Sequence, residues 1–295
     1  MSYDQLLSFL IQFAGAIFKQ LPFIAAFVVI YSAFSIFKSQ SCNPDRVWWR
    51  NSGLWIDFCY GVVNMLLMPY LVIPVASVII LIFSATMTAA EITDYMTHGR
   101  GPVSGLPFWW QALFFFVIGD LITYWIHRLF HRHSMWKFHA IHHSGEVVDW
   151  TTAYRGHPIN LMLQPVLVSI VMQSLGVSSD LMITFVPLEA LCVTWIHSNS
   201  NWTLGPLRYI VVTPVYHRWH HTSPSEGGNS NFAGAFAFWD LLFGTYYMPE
   251  GKLPQEFGID DQHFPTTSFV EQLIYPFKPS PSADQSSSTT AQSTA

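Results

Sequence analysis

The residues best suited to chemistry are histidines, and six of them lie in the seventeen-residue stretch HRLFHRHSMWKFHAIHH between His127 and His143. The whole chain of 295 residues contains only 13 histidines. His127 and His131 are four residues apart at the end of an apolar stretch, so on a helix both rings lie on one face. This spacing lets two imidazoles bind one metal ion. HAIHH repeats it, because His139 lies three residues before His142 and four before His143.

Two later segments have similar spacing. HRWHH holds His217, His220 and His221, and His197 with Asn201 forms a fourth pair four residues apart, in which an amide oxygen takes the second place. One zinc ion takes three or four protein ligands, so nine imidazoles predict two metal ions. Neutral imidazole binds iron, copper, nickel and zinc, so the spacing leaves the metal open. The predicted ligands are His127, His131, His139, His142, His143, His197, Asn201, His217, His220 and His221.

Three further polar residues lie near these histidines in the sequence. Asp120 precedes His127 by seven residues and shares its helical face, and an acid in an apolar stretch is a functional candidate. Its carboxylate either accepts a ring N–H from a ligand or makes a structural bond between helices. Glu189 fits helix packing, a substrate tunnel or contact with a ligand. His157, in GHP, fits a rigid turn as well as a ligand, and we leave it outside the predicted ligand set.

The composition indicates a membrane protein. Hydrophobic residues make up 51% of the chain and charged residues 11%, whereas soluble domains carry about 25% charged residues. The net charge is −5 without a long basic run, which argues against a nucleic-acid partner. The three cysteines form no CxxC pair, so neither a disulfide framework nor a zinc ribbon is indicated.

The apolar stretches predict an all-α, polytopic bundle with four to five membrane segments. A crossing needs about 20 apolar residues, and the candidates are 21–37, 57–84, 107–126, 160–175 and 179–197. The last two form a hairpin, with a turn at LGVSSD, that either spans or re-enters the membrane. Asp4 argues that the N-terminus is a retained membrane segment rather than a signal peptide. We divide the chain into N-terminal membrane segments (1–106), a histidine-rich catalytic region with the hairpin (107–250), and a C-terminal segment ending in a disordered tail (251–295).

Short-loop positive charge predicts the orientation of these segments. Lys38, Arg46 and Arg50 follow the first segment, and Arg128, Arg132 and Lys137 follow the third. Both loops are therefore expected on the cytoplasmic side. The hairpin returns the chain to the side that it left, so every histidine group can meet in one cytoplasmic cap that holds two metals.

The histidine motifs resemble the three histidine boxes of the fatty acid hydroxylase superfamily, which includes sterol desaturases, sterol C4-methyl oxidases and sphingolipid hydroxylases. The resemblance covers about residues 107–250. Besides HRLFH, HAIHH and HRWHH, it rests on the D…Y..HR..H, R.HP and WD..FGT elements. These are matched by Asp120, Tyr124, His127, Arg128, His131, Arg155, His157, Pro158, Trp239, Asp240, Phe243, Gly244 and Thr245.

The resemblance implies a non-haem di-iron centre that activates O2 at a lipid C–H bond, by hydroxylation or desaturation. It implies electrons from a carrier such as cytochrome b5 or a ferredoxin, fed by a nicotinamide-dependent reductase. It also makes Asp240 a site candidate beside Asp120. Zinc can replace iron, because imidazole sites discriminate poorly. The expected location is a bacterial inner membrane or the endoplasmic reticulum.

Two other classes of function remain open at this point. Histidine clusters also occur in membrane metal transporters and metal sensors, although transport predicts ligands in the middle of the membrane. A catalytically silent membrane protein could keep the motifs as a structural metal site. Within the enzyme class, the substrate is a sterol, a fatty acyl chain, a sphingoid base or a carotenoid-like lipid.

Overall fold

The structure, a computed structural model, places nine α-helices and five short 3-10 turns in the longer stretches of the part of the chain that it describes. That part comprises residues 40–67, 86–223 and 225–279, with short pieces at 22, 25–33, 36–37, 70, 74–75, 77–78 and 82. The predicted segments before residue 22, parts of 21–37 and 57–84, and the predicted tail from residue 280 lie outside it. The helices are Leu54–Leu67 (α1), Ala89–His98 (α2), Phe108–Phe130 (α3), Trp136–His143 (α4), Pro158–Ser174 (α5), Ser179–His197 (α6), Pro214–His220 (α7), Phe238–Phe243 (α8) and Phe269–Ile274 (α9).

The all-α prediction is confirmed for these residues. Their sole extended pairing is one antiparallel bridge between Ser41 and Ser200. The 3-10 turns lie at Trp48–Arg50, His133–Met135, Trp150–Tyr154, Gly205–Tyr209 and Tyr275–Phe277.

Two helices, α3 and α6, are long and apolar enough to cross a membrane. α6 has the predicted bounds, whereas α3 continues past the predicted residue 126 to Phe130 and so carries His127 within its last turn. α1 and α5 are apolar but shorter, with 14 and 17 residues. Apolar side chains such as Trp109 and Ile183 project outward from α3 and α6 and are 75% and 66% exposed. Such outward apolar faces fit contact with lipid.

The hairpin of α5 and α6 turns where the sequence predicted it, and Ser178 caps α6 by accepting the Leu181 N–H. The segment before α3, residues 86–106, contains α2, which begins with a capping box between Thr88 and Glu91. After α2 the backbone at Gly99, with φ of +76°, passes so close to Gly176 that a Cβ would clash. α2 therefore lies beside the hairpin turn, at the end of α6 opposite His197.

The elements under the histidine region are joined by buried contacts. α6 packs against α7 and the Trp150–Tyr154 turn, and Tyr124, Ile196, Tyr216 and Phe232 form a buried cluster below the histidines. Arg155, which is 3% exposed, pairs with Asp57 of α1 and donates to the Gly53 carbonyl at 2.8 Å. This pair fixes the backbone of the 150–156 segment against α1.

Candidate metal centre

The nine predicted histidines lie together in two adjoining groups. Within each group the ring nitrogens that face one another are no more than 4.8 Å apart. The groups adjoin, because the His143 and His221 rings stack with centroids 4.6 Å apart. The first group contains His127, His131, His139, His143 and His220, and the second group contains His142, His197, His217 and His221.

Helical spacing explains how the histidines divide between the groups. His139 and His143 are four residues apart on α4 and both face the first group, whereas His142 faces the second. Adjacent helical residues point about 100° apart, so His142 and His143 cannot share one ion. On α7 and its C-cap the assignment is reversed. His217 and His221, four residues apart, belong to the second group, and His220 belongs to the first.

Backbone carbonyls fix the orientation of four of these rings. The Nδ1 atom of His127 lies 2.8 Å from the Phe232 oxygen, and that of His142 lies 2.8 Å from the Arg155 oxygen. His197 and His220 make the same contact within 2.7 Å, with the carbonyls of Val193 and Ser230. A carbonyl only accepts, so each Nδ1 carries the proton and each neutral ring presents a bare Nε2 lone pair to its group.

The bare nitrogens face one another at distances that suit a shared cation. The Nε2 atoms of His142 and His197 are 3.1 Å apart. Both rings donate through Nδ1, so neither has a proton for the other and their lone pairs repel. In addition, the Nε2 atoms of His131 and His220 are buried without a hydrogen-bond partner. Converging lone pairs of neutral imidazoles are the donors that a transition-metal ion uses, so the residues fit two bound metals.

The protonation states agree with this assignment. Burial lowers the pKa of His142 to about 4. For five other histidines of the two groups, burial is the larger cause and repulsion by neighbouring histidines the smaller one, and together they hold the ring pKa well below its usual range. These five, on α4, α7 and the C-cap of α7, are His139, His143, His217, His220 and His221. These rings are therefore neutral near pH 7 and available as ligands.

Asp120 reaches backbone N–H groups rather than a ring N–H. Its oxygens accept from the backbone nitrogens of Gly234, Ala235 and Phe236 at 3.0, 2.9 and 2.8 Å. Of the two roles left open for Asp120, these contacts do not include a bond to a ring N–H. The segment that it holds begins next to Phe232, whose carbonyl receives the His127 proton, so Asp120 positions a ligand through the backbone.

Asp240 holds the other end of the same segment. It accepts the backbone N–H groups of Phe232 and Ala233, both at 2.8 Å. It also accepts the hydroxyl protons of Thr245 and Tyr216. Asp120 and Asp240 together fix residues 232–236, and both act as positioning residues.

Asn201 does not have the helical relation to His197 that made it a candidate. α6 ends at His197, and the following Ser198 has a ψ of 151°, which is extended backbone. The two side chains therefore do not share a helical face, and the spacing argument for Asn201 as a ligand is wrong. Its backbone N–H instead bonds the Gln40 carbonyl at 2.9 Å.

The sequence left the roles of His157 and Glu189 open, and the structure gives the two residues different surroundings. His157 caps α5, because its Nδ1 accepts the Ile159 N–H at 3.1 Å, and it belongs to neither histidine group. Glu189 lies on the exposed face of α6.

Sequence reasoning missed two contributors that orient ligands. The Arg155 carbonyl bonds His142, and the Asn160 side-chain oxygen lies 2.9 Å from the Nδ1 atom of His139. The R.HP motif pointed to the first residue through its side chain rather than its carbonyl. Asn160 had no signal in the sequence, since a single asparagine is common in any chain.

His143 also lines a cavity of about 150 Å³, together with Trp136. This cavity shares Gly258, Ile259, Asp260 and Asp261 with a larger one of about 260 Å³ that opens among acidic side chains. The first histidine group therefore lies next to a cavity that shares part of its lining with an acidic one.

The described residues thus combine two apolar helices of membrane length with two adjoining histidine groups that could each hold a metal ion. Residues 112–245, which include all nine histidines, match the fatty acid hydroxylase family. The predicted resemblance to that family is confirmed for this region.

Curated relatives are similar to part of this chain. Ornithine lipid hydroxylase OlsE of Rhizobium tropici is 32% identical over 172 residues, which is 58% of this chain and 51% of that protein. Alkylglycerol monooxygenase of Danio rerio is 31% identical over 57% of this chain and 37% of that protein. Methylsterol monooxygenase 1-1 of Arabidopsis thaliana is 29% identical over 46% of both. The chain thus spans about half, or less, of these relatives, and no solved structure matches it.

Proposed function

We propose that this protein is an integral membrane di-iron oxygenase that acts on a C–H bond of a lipid. The observation that carries the proposal is the convergence of bare imidazole nitrogens in two adjoining groups of five and four histidines. The named relatives support the lipid substrate, because each is a lipid hydroxylase or monooxygenase by name.

The chain's residues divide the work in this proposal. The first group would hold one iron and the second group the other, and the irons would supply the oxidising power needed to break an unactivated C–H bond. The protein binds and orients the lipid and limits side reactions. The carbonyls of Phe232, Arg155, Val193 and Ser230 keep four rings in the tautomer that can bind metal.

The surroundings of the site would bring the reactants together. We place the histidine groups in a cytoplasmic cap over four to five membrane segments, with the catalytic region at 107–250. A lipid then reaches the site from the bilayer, while O2 and electrons arrive from the aqueous side. The electrons would come from cytochrome b5 or a ferredoxin with a nicotinamide-dependent reductase.

A metal transporter fits the geometry less well. Transport requires ligands along the crossing, yet His127 lies in the last turn of α3 and His197 is the last residue of α6. Both groups therefore lie at helix ends, where a surface enzyme needs them.

Metal analysis combined with lipid mass spectrometry tests the proposal. Purified protein should contain two metal ions, and cells producing it should contain a lipid that has gained one oxygen or lost two hydrogens. The first change indicates hydroxylation and the second desaturation. An iron-free zinc form should bind lipid without turnover, and full turnover by that form would refute the oxygenase proposal.

A further inference from the structure

Outside the long helices, two short elements of the histidine region expose large aliphatic side chains. Leu207 and Ile210, in and after the Gly205–Tyr209 turn, are 54% and 52% exposed, and Leu241 and Leu242 of α8 are 45% and 67% exposed. We call these four residues the interfacial patch. Removing apolar surface from water is worth about 25 cal/mol per Å², and grouped exposed apolar side chains mark an interaction surface.

The interfacial patch continues the outward face of α3. The ring of Phe243, next to Leu242, packs 4.9 Å from the ring of Trp125 on α3, and Trp125 is 48% exposed. The Gly205–Tyr209 turn joins the same side, because the Tyr209 and Tyr246 rings are 5.6 Å apart. α3 is one of the two described helices of membrane length, so these aromatic contacts connect the patch to the outward face of a candidate span.

Cations border this surface in an arrangement suited to lipid headgroups. The Arg128 guanidinium lies 5.4 Å from the Trp125 ring centre, and the Arg208 guanidinium lies 5.0 Å from that of Tyr209. Each guanidinium thus lies over an aromatic ring that borders the patch, and that of Arg208 also lies 3.8 Å from a Glu250 carboxylate oxygen. Tyrosine and tryptophan are enriched at the membrane–water boundary, and arginine places its charge at that level.

We propose that the interfacial patch inserts into the headgroup–acyl boundary of an anionic bilayer and holds the histidine region flat against the membrane. Continuity with α3 favours the bilayer over a partner protein, and the bordering arginines complement anionic lipid. The patch would keep the histidine groups at the depth where a lipid chain leaves the bilayer. The proposal depends on α3 crossing the membrane and does not depend on catalytic turnover.

Spin labels at two patch positions test this placement. Leu207→Cys and Leu242→Cys are prepared separately with Cys59→Ser and Cys192→Ser. Cys42 is retained, because it is 3% exposed and its thiol donates to the Ser200 carbonyl. The labelled full chain is reconstituted in vesicles of phosphatidylcholine and phosphatidylglycerol. Collisions with O2, which concentrates in lipid, are compared with collisions with a water-soluble nickel complex.

The matched control is a label at Glu226→Cys, an exposed position that lines the acidic cavity. The ratio of O2 to nickel collisions should be several-fold higher at 207 and 242 than at 226. Equal ratios at all three positions would overturn the proposal. Protection of 207 and 242 from both reagents would also overturn it, since that result means that protein covers the patch. The readout needs no turnover, so it stays separate from the test of the oxygenase proposal.

Discussion

Replacing Asp120 by asparagine tests how the protein positions its ligands. The carboxylate accepts three backbone N–H groups, two on Oδ1 and one on Oδ2. An asparagine can keep the two bonds on its oxygen, but its NH2 group then faces the Phe236 N–H. Two donors meet there, and the Phe236 N–H has no acceptor.

The size of the effect follows from that single lost acceptor. Leaving one buried donor unpaired costs about 1–3 kcal/mol, so the free energy of unfolding should fall by that amount. The segment 232–236 then shifts, and the Phe232 carbonyl no longer fixes His127 in its orientation. Losing a group that orients a ligand typically costs about 10–100-fold in metal affinity or activity, so Asp120→Asn should reduce iron content and turnover within that range.

The measurements are iron per protein by elemental analysis, turnover of the lipid, and thermal unfolding of the purified protein. Asp94→Asn is the matched control, because the Asp94 side chain is 55% exposed and lies on α2, at the far end from the histidines. If Asp120→Asn keeps full iron content and full rate, the segment does not orient His127 and the argument for positioning through the backbone is refuted.

Three further perturbations separate the site from the fold. His142→Ala should remove metal from the second group and abolish turnover while membrane insertion persists. The control His98→Ala, at a side chain that is 68% exposed, should change neither metal content nor turnover. Equal iron content in the two variants would contradict the assignment of His142 to the second group. Gly228→Ala should lower metal content, because the added Cβ would lie 1.8 Å from the carbonyl oxygen of Thr222, the residue after His221. The control Gly105→Ala, with open space around its Cβ, should not lower it, and elemental analysis of both variants decides. Unfolded histidines take up protons near pH 6.5, whereas burial holds the pKa of His142 at about 4. The melting temperature of metal-free protein should therefore fall as the pH is lowered from 7 to 5. A rise would contradict the conclusion that the buried rings are neutral.

The sequence predicted the nine histidines because helical spacing is a local property. A pair four residues apart shares a face in any helix, so HxxxH and HxxHH could be interpreted without knowing how the helices pack. The rule does not by itself give the division into groups, because residues three and four apart both lie near one helical face. The packing of the elements places His139 and His143 in the first group and His142 in the second.

The same rule failed where the helix ended. The His197–Asn201 spacing has meaning only if residues 198–201 are helical, and Ser198 already has extended backbone. The segment SNSN contained the warning, because serine and asparagine compete with helical hydrogen bonds and favour caps and turns.

Asp120 shows a different limit. Its partners lie 114 to 116 positions later in the chain and are backbone N–H groups, which every non-proline residue carries. The residue types at 234–236 do not show that these N–H groups need a side-chain acceptor, so only the fold could identify the contact. The sequence placed Asp120 near the site and could not say what it holds.

The two carboxylates that sequence reasoning proposed for the site lie one step away from the rings, and this arrangement has a chemical consequence. Four ring N–H groups donate to neutral backbone carbonyls, which fix the tautomer without adding negative charge. A carboxylate in that place would make the imidazole a more basic ligand. In ferritin-like bundles glutamates bind the metals directly and balance their charge, whereas here Asp120 and Asp240 balance only backbone donors. Metals held by neutral imidazoles would keep more of their positive charge and remain stronger electron acceptors. In the proposed site, Asp120 and Asp240 therefore set the geometry, and the histidines would bind the metal.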